Sequence, residues 1–168
     1  MSHADIPNRP LARFSVFTEI QLRHLIAEKT EIEELLEQAF SLPDAVHGGD
    51  YLRATGRIWL WYLGSYELVR TMAGAESCFS DRATKKLLEL KRYLAKVRMP
   101  LAKQEKRGTG KLATDELSSY IHFQASDIGY LIDGELVLFK EAAGKVVDSL
   151  MTIAKDDVIA PLSSKYQE

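Results

Sequence analysis

The stretch from Asp50 to Gly74, DYLRATGRIWLWYLGSYELVRTMAG, most constrains how this chain can fold. Its centre, Ile58 to Leu63, is the longest unbroken apolar run in the sequence. Six such residues cover a helix all the way round, and a helix of that kind is normally buried among others. Asp50 is placed to cap its start by accepting from free backbone N–H groups. Gly74 is placed to end it in a left-handed conformation. At 100° per residue, one polar stripe remains. Arg53, Arg57, Gly64, Glu67 and Thr71 fall on one side with Leu60, and Gly56 and Arg70 lie toward one edge. Trp59, Tyr62, Tyr66 and Val69 lie on the other side. Three readings of the stripe stay open. The favoured one has it facing water, with charges paired at i,i+3 or i,i+4. In the second, Arg57, Glu67 and Arg70 meet in a cleft that Gly56 and Gly64 leave open, a set suited to a small anion or a phosphate. In the third they form a buried polar network that fixes helix register.

The 168 residues suit one ordinary domain with a substantial core. A 46% hydrophobic and 27% charged composition is that of a folded chain. A net charge of −2 gives no global attraction to nucleic acid or anionic membrane. The single cysteine, Cys78, excludes an intrachain disulfide and a cysteine-cluster metal site, and it fits a reducing cytoplasm. In a turn it reads as a small buried hydrophobe rather than a nucleophile. The polar, proline-containing start lacks the apolar core of a signal peptide. A six-residue apolar run is far short of the roughly 20 that span a membrane.

In chain order, residues 1–14 read as a loose leader. A first helix is expected over about 18–41. Thr18-Glu19-Ile20-Gln21 has capping-box spacing, with Phe17 and Leu22 as its staple. Its apolar face is Leu22, Leu25, Ile32, Leu36 and Ala39, widened by Ile26, Leu35 and Phe40. Glu19 and Arg23 form an i,i+4 pair, and Pro43 marks the end. After the central helix, a short turn holds Cys78. A third helix, capped by Ser80 or Asp81, runs to about Arg107. Leu87, Leu90, Leu94, Val97 and Leu101 form its seam, and Pro100 should kink or divide it near Met99. Residues 111–119 are polar, with a short helical turn capped by Thr114. Over 120–139 two readings stay open, a β-hairpin or a turn between helical pieces. Asp133-Gly134 between apolar runs favours the hairpin. The last helix covers about Lys140 to Ala154, with Ala142, Val146, Val147, Leu150 and Met151 on its apolar face. The tail after Asp156 is expected to fray.

Charge is unevenly distributed. Residues 82–107 hold ten basic and two acidic side chains, a net of +8, which leaves −10 for the rest of the chain. Such a segment, through Lys85, Lys86, Arg92, Lys96, Arg98 and Lys103, resembles a phosphate-binding face, with affinity supplied by counterion release. Neutralisation by the acidic helices or by a second subunit is the favoured alternative. The four histidines, His3, His24, His47 and His122, form no helical pair of the HExxH kind, and no metal or cofactor is expected. Gly108-Thr109-Gly110-Lys111 lacks the spacing of a phosphate loop. Ser118, Ser119 and Tyr120 near His122 lack a nucleophile elbow.

A run of long helices with a basic third one, the phrase RIWLWYLGSYELVR (Arg57–Arg70) and the phrase KVRMPLAK (Lys96–Lys103) resemble the HEPN-type helical domains of bacterial defence and toxin systems. The likeness is one of topology over about 18–155. Nuclease members of that family carry an Arg followed four to six residues later by a His. No histidine of this chain has an Arg in that window. The resemblance therefore implies a non-catalytic binding or partner-holding role.

The expected fold is all-α, an antiparallel four-to-five-helix bundle with the small hairpin before the last helix. The expected function is a non-enzymatic cytoplasmic module that associates with itself, as a homodimer or higher oligomer, or with a protein partner. RNA or another polyanion on the basic helix, and a small anion at Arg57, Glu67 and Arg70, are the alternatives.

Overall fold

Capped apolar runs produce four α-helices, and a small antiparallel sheet precedes the last. They are α1 (Val16–Ala39), α2 (Gly48–Ala73), α3 (Asp81–Lys103), β1 (Ser119–His122), β2 (Asp127–Ile132), β3 (Glu135–Leu138) and α4 (Phe139–Met151). The computed structural model describes residues 9–42, 44–103, 119–132 and 134–166, without the side chains of 99–103 and 165–166. Pro43, Asp133, the 108–111 loop and the turn expected at Thr114 lie outside the described residues.

The expected leader is not loose from residue 9 onward. Pro10–Arg13 form a 3-10 turn, and Leu11 and Phe14 are buried in the core. This turn moves the start of α1. Ser15, not Thr18, is the cap, and its Oγ accepts from Thr18 N at 3.4 Å. Thr18 and Glu19 are drawn inside instead, while Phe17 is exposed, so the expected staple to Leu22 does not form. The Glu19–Arg23 pair is present at 2.7 Å.

α2 begins before Asp50. His47 is its cap residue, and Asp50 sits in the first turn, bonded to Arg53 at 3.4 Å. Gly74 does end the helix, but in the right-handed region (φ −85, ψ −5). The buried side runs Ala54, Ile58, Trp61–Tyr62, Ser65, Leu68–Val69 and Met72. Burying each large apolar side chain contributes on the order of 2 kcal/mol. Trp61 Nε1 donates to Leu25 O at 2.8 Å, which satisfies the indole without water. The helix is not buried all round. Trp59 is 42% and Leu60 58% exposed, because α1 and α3 flank α2 and leave its outer face open.

α3 is capped by Ser80, whose Oγ accepts from Ala83 N at 3.3 Å. It continues as one helix past Pro100 to Lys103, undivided at Met99. Leu87, Leu90, Leu94 and Val97 are buried as a single seam. The favoured hairpin is present as β2–β3, with Gly134 at φ +84 supplying the turn. β1 adds a third antiparallel strand against β2, with Tyr120 opposite Gly129. Asp127 ties sheet to helix. Its Oδ2 accepts from Lys140 N at 2.9 Å in the first turn of α4, and its Oδ1 accepts from Ile128 N at 2.7 Å. α4 stops at Met151, three residues early, and Met151 is exposed rather than packed.

α1, α2 and α3 are antiparallel neighbours in chain order. α4 follows directly on β3 and packs on β2 and β3 on one side and on α1 and α3 on the other. The arrangement is therefore three long helices backed by a sheet-and-helix unit, not a four-to-five-helix bundle. Nor does the tail fray. Asp157 and Val158 are buried, Val158 bridges Phe79, and Leu162 N donates to Phe14 O at 2.8 Å. Residues 10–14, the α2–α3 turn and residues 157–162 thus meet at one end of the core, where Cys78 is fully buried.

Candidate functional site

The arginines of α2 occupy separate stations. Arg57 points to α1, where its Nε donates to Glu28 Oε1 at 2.5 Å and its Nη2 to Glu28 Oε2 at 2.6 Å. The same Nη2 also donates to Glu31. These hydrogen bonds to the two carboxylates hold the guanidinium charged, far above its ordinary range. One cation shared by two carboxylates leaves a net negative station, unsuited to an anion.

Glu67 lies ten residues further along, roughly 15 Å by helical rise. It accepts from Arg70 Nε at 2.7 Å and lies 3.8 Å from Arg98 Nε, whose guanidinium stacks 4.7 Å over Tyr66. The structure therefore brings Glu67, Arg70 and Arg98 together and sets Arg57 apart. The cleft of Arg57, Glu67 and Arg70 does not form.

The stripe of α2 instead faces outward. Gly56, Leu60 and Gly64 lie along it, with the exposed Leu52 (70%) and Trp59 beside one edge and ion pairs Asp50–Arg53 and Glu67–Arg70 at its two ends. Its inner side carries a different feature. The Tyr62 hydroxyl and Ser65 Oγ are buried with no hydrogen-bond partner among the described residues. Burial, then the neighbouring Tyr93, Tyr130 and Asp127, push the Tyr62 hydroxyl well above its ordinary pKa.

The basic residues of α3 do not form one face. Arg82 is paired with Asp157, and Lys86 Nζ donates to Thr152 Oγ1 at 2.6 Å. Arg98 turns to α2, Lys85 is exposed, and the side chain of Lys103 lies outside the described residues. Arg92 and Lys96 do share a site. They line a cleft of about 360 Å³ between α3, the sheet and α4, joined by Lys145 and opposed by Glu135. Tyr93, Val97, Ile132 and Val137 complete its walls, and Lys145 Nζ sits 4.5 Å over the Tyr93 ring. Burial, then Glu141, raises the pKa of Tyr93. No sequence pattern singles out Lys145, Glu135 and Tyr93, because they converge from α4, β3 and the inner edge of α3 only on folding.

Among the described residues no group of three or more His, Cys, Asp or Glu could hold a metal ion. His122 is used locally, its Nδ1 accepting from Ala125 N at 3.2 Å. Among the same residues no helix is long and apolar enough to cross a membrane. No protein family, curated protein or solved structure matches this chain.

Proposed function

We propose that this chain is a non-enzymatic association module that pairs with itself or a protein partner through the outer face of α2. The observation that carries this reading is the exposure of Leu52, Trp59 and Leu60 on the helix whose other side forms the core. Apolar side chains grouped on one exposed helical face mark a contact surface more often than isolated ones do. The lone, buried Cys78 suits a reducing compartment such as the cytoplasm. Sedimentation velocity across a wide concentration range tests the self-pairing form. Mass that rises with concentration, and a Leu60→Arg variant that abolishes the rise, is the expected result. A wild-type monomer throughout overturns it.

A second reading is polyanion binding, RNA included, in line with the HEPN-like resemblance. Arg92, Lys96 and Lys145 around one cleft favour it. A fluorescent mixed RNA oligonucleotide titrated at low and moderate salt is the test. Binding that falls steeply with salt, and falls further in Arg92→Glu/Lys96→Glu, supports it. Equal behaviour of variant and wild type overturns it.

A further inference from the structure

The outer face of α2 is palindromic in charge and in size, and Leu60 is its centre. Counting outward, Gly56 and Gly64 stand four residues either side of it, Arg53 and Glu67 seven, and Asp50 and Arg70 ten. At 100° per residue, Arg53, Gly56, Gly64 and Glu67 all fall within about 40° of the Leu60 direction, with Asp50 and Arg70 at the rim. From this we infer that the partner of α2 is a second copy of the same chain, packed antiparallel on a two-fold axis through Leu60. The inference rests on the association reading above and gives that reading an occupant and a geometry.

Two-fold symmetry makes an interface isologous, so residue 60−n of one copy faces residue 60+n of the other. Arg53 then faces Glu67 of the second copy. At each rim, Asp50 of one copy and Arg70 of the other flank that pair from opposite edges of the seam. Within one chain, Asp50 already pairs with Arg53 at 3.4 Å and Glu67 with Arg70 at 2.6 Å. Association therefore joins two doublets through Arg53 and Glu67 into a row of four charges of alternating sign, twice over by symmetry. A parallel pairing in register would set Arg53 on Arg53 and Glu67 on Glu67, and like charges across an interface are strongly disfavoured. The charge order selects the antiparallel form.

The glycines fit the same geometry. A Cβ on Gly56 would meet nothing within 4 Å, and one on Gly64 would meet only Leu25 Cδ2 at 3.4 Å. One turn either side of Leu60, the helix surface is thus bare backbone. Small residues at such positions let two helices approach closely. Leu60, 58% exposed, is the knob between them, and Trp59 borders the seam.

Three surface variants test this, each checked for native circular dichroism and measured by sedimentation equilibrium. Arg53→Glu alone should weaken the dimer at least tenfold, since it sets two carboxylates face to face at both ends. Glu67→Arg alone should do the same. The double variant Arg53→Glu/Glu67→Arg should return the dissociation constant to within about threefold of wild type, because the facing pair is restored with signs exchanged. Leu60→Cys should give a disulfide-linked dimer on mild oxidation, because a residue on the axis meets its own copy and Cys78 is buried. Rescue together with the Leu60→Cys cross-link establishes the arrangement. A dimer that ignores the charge reversals and does not cross-link overturns this geometry while leaving self-association standing elsewhere on the surface. A chain that stays monomeric at every concentration overturns both.

Discussion

Arg82 and Asp157 form an ion pair that fastens the start of α3 to the segment after α4. Arg82 Nε donates to Asp157 Oδ1 at 3.2 Å, and its Nη2 donates to Oδ2. The same carboxylate accepts from Ser80 Oγ at 2.6 Å and from Ala154 N at 2.9 Å. Arg82 first, then Ser80, lower its pKa to about 2. In the unfolded chain the group titrates near its ordinary value, about 3.9. The stabilisation is therefore complete above about pH 4 and is lost as pH falls through about 2. Because Arg82 is largely exposed and its charge screened, Asp157→Asn should cost about 1–2 kcal/mol at neutral pH. Urea midpoints of the two proteins should differ at pH 7 and converge toward pH 2. A constant difference across that range would show that the carboxylate's charge contributes nothing.

At the other extreme of pH, the buried tyrosines set the limit. Tyr62 and Tyr130 are almost fully buried. Burial, then Tyr51, pushes the Tyr130 hydroxyl up to about 12. The unfolded chain ionises its tyrosines near pH 10. These residues therefore favour the fold below about pH 10, and that contribution is lost as pH rises toward 12. Tyr62 and Tyr130 should ionise together with the loss of helix. Absorbance at 295 nm followed beside circular dichroism reads both events. Tyr62→Phe adds a sharper test, because the hydroxyl it removes has no hydrogen-bond partner among the described residues. The variant should be neutral to about 1 kcal/mol more stable at neutral pH. A loss of more than that would mean that the hydroxyl is held by a bound water.

The two tryptophans, two residues apart, report opposite environments. Trp61 is 1% exposed and Trp59 42% exposed. Trp59→Phe should leave a blue-shifted emission that iodide quenches poorly, and Trp61→Phe a red-shifted one that it quenches readily. Trp61→Phe should also lose about 1–3 kcal/mol, since the indole hydrogen bond to Leu25 O is lost and the smaller ring leaves buried volume unfilled. Equal quenching in both variants would contradict the assignment of α2's inner and outer sides.

Sequence logic reached the elements that repeat, and failed where partners are distant. The Leu87–Leu90–Leu94–Val97 seam is buried as its spacing requires, and Gly134 lies between paired strands with the positive φ a turn needs. Periodicity could not decide which side of Ile58–Leu63 faces the core, because apolar residues surround that turn. The 100° spacing puts Trp59 opposite the polar stripe, yet it is 42% exposed. Leu11 and Phe14 lie in a segment too short to show a period. Asp157 reads in sequence as part of a frayed tail because its partners, Ser80 and Arg82, are 77 and 75 residues away. The candidate sites divide the same way. The outward stripe of α2 and its i,i+3 ion pairs follow from one helix and were legible. The engagement of Arg57 by Glu28 and Glu31 depends on how α1 packs on α2, which no single-segment pattern encodes.

Two glycines that look alike in sequence should respond oppositely to the same change. Gly129 is buried in β2, between Tyr120 of β1 and Leu138 of β3. A Cβ there would come within 2.7 Å of Leu136 Cδ1, 3.0 Å of Leu138 Cδ2 and 3.1 Å of the Val137 carbonyl oxygen. The leucine tips can turn away, but the carbonyl is held in the β2–β3 ladder. The strand must therefore shift, at a cost of about 1–3 kcal/mol for Gly129→Ala. Gly144 lies within α4, and a Cβ on it meets nothing within 4 Å. Alanine there only removes backbone freedom from the unfolded chain, so Gly144→Ala should stabilise by up to about 1 kcal/mol. Thermal melts of the two variants should move in opposite directions from wild type. If Gly129→Ala were neutral, β2 and β3 would have to be further apart than this sheet places them. If Gly144→Ala were destabilising, the outer side of α4 would have to be covered.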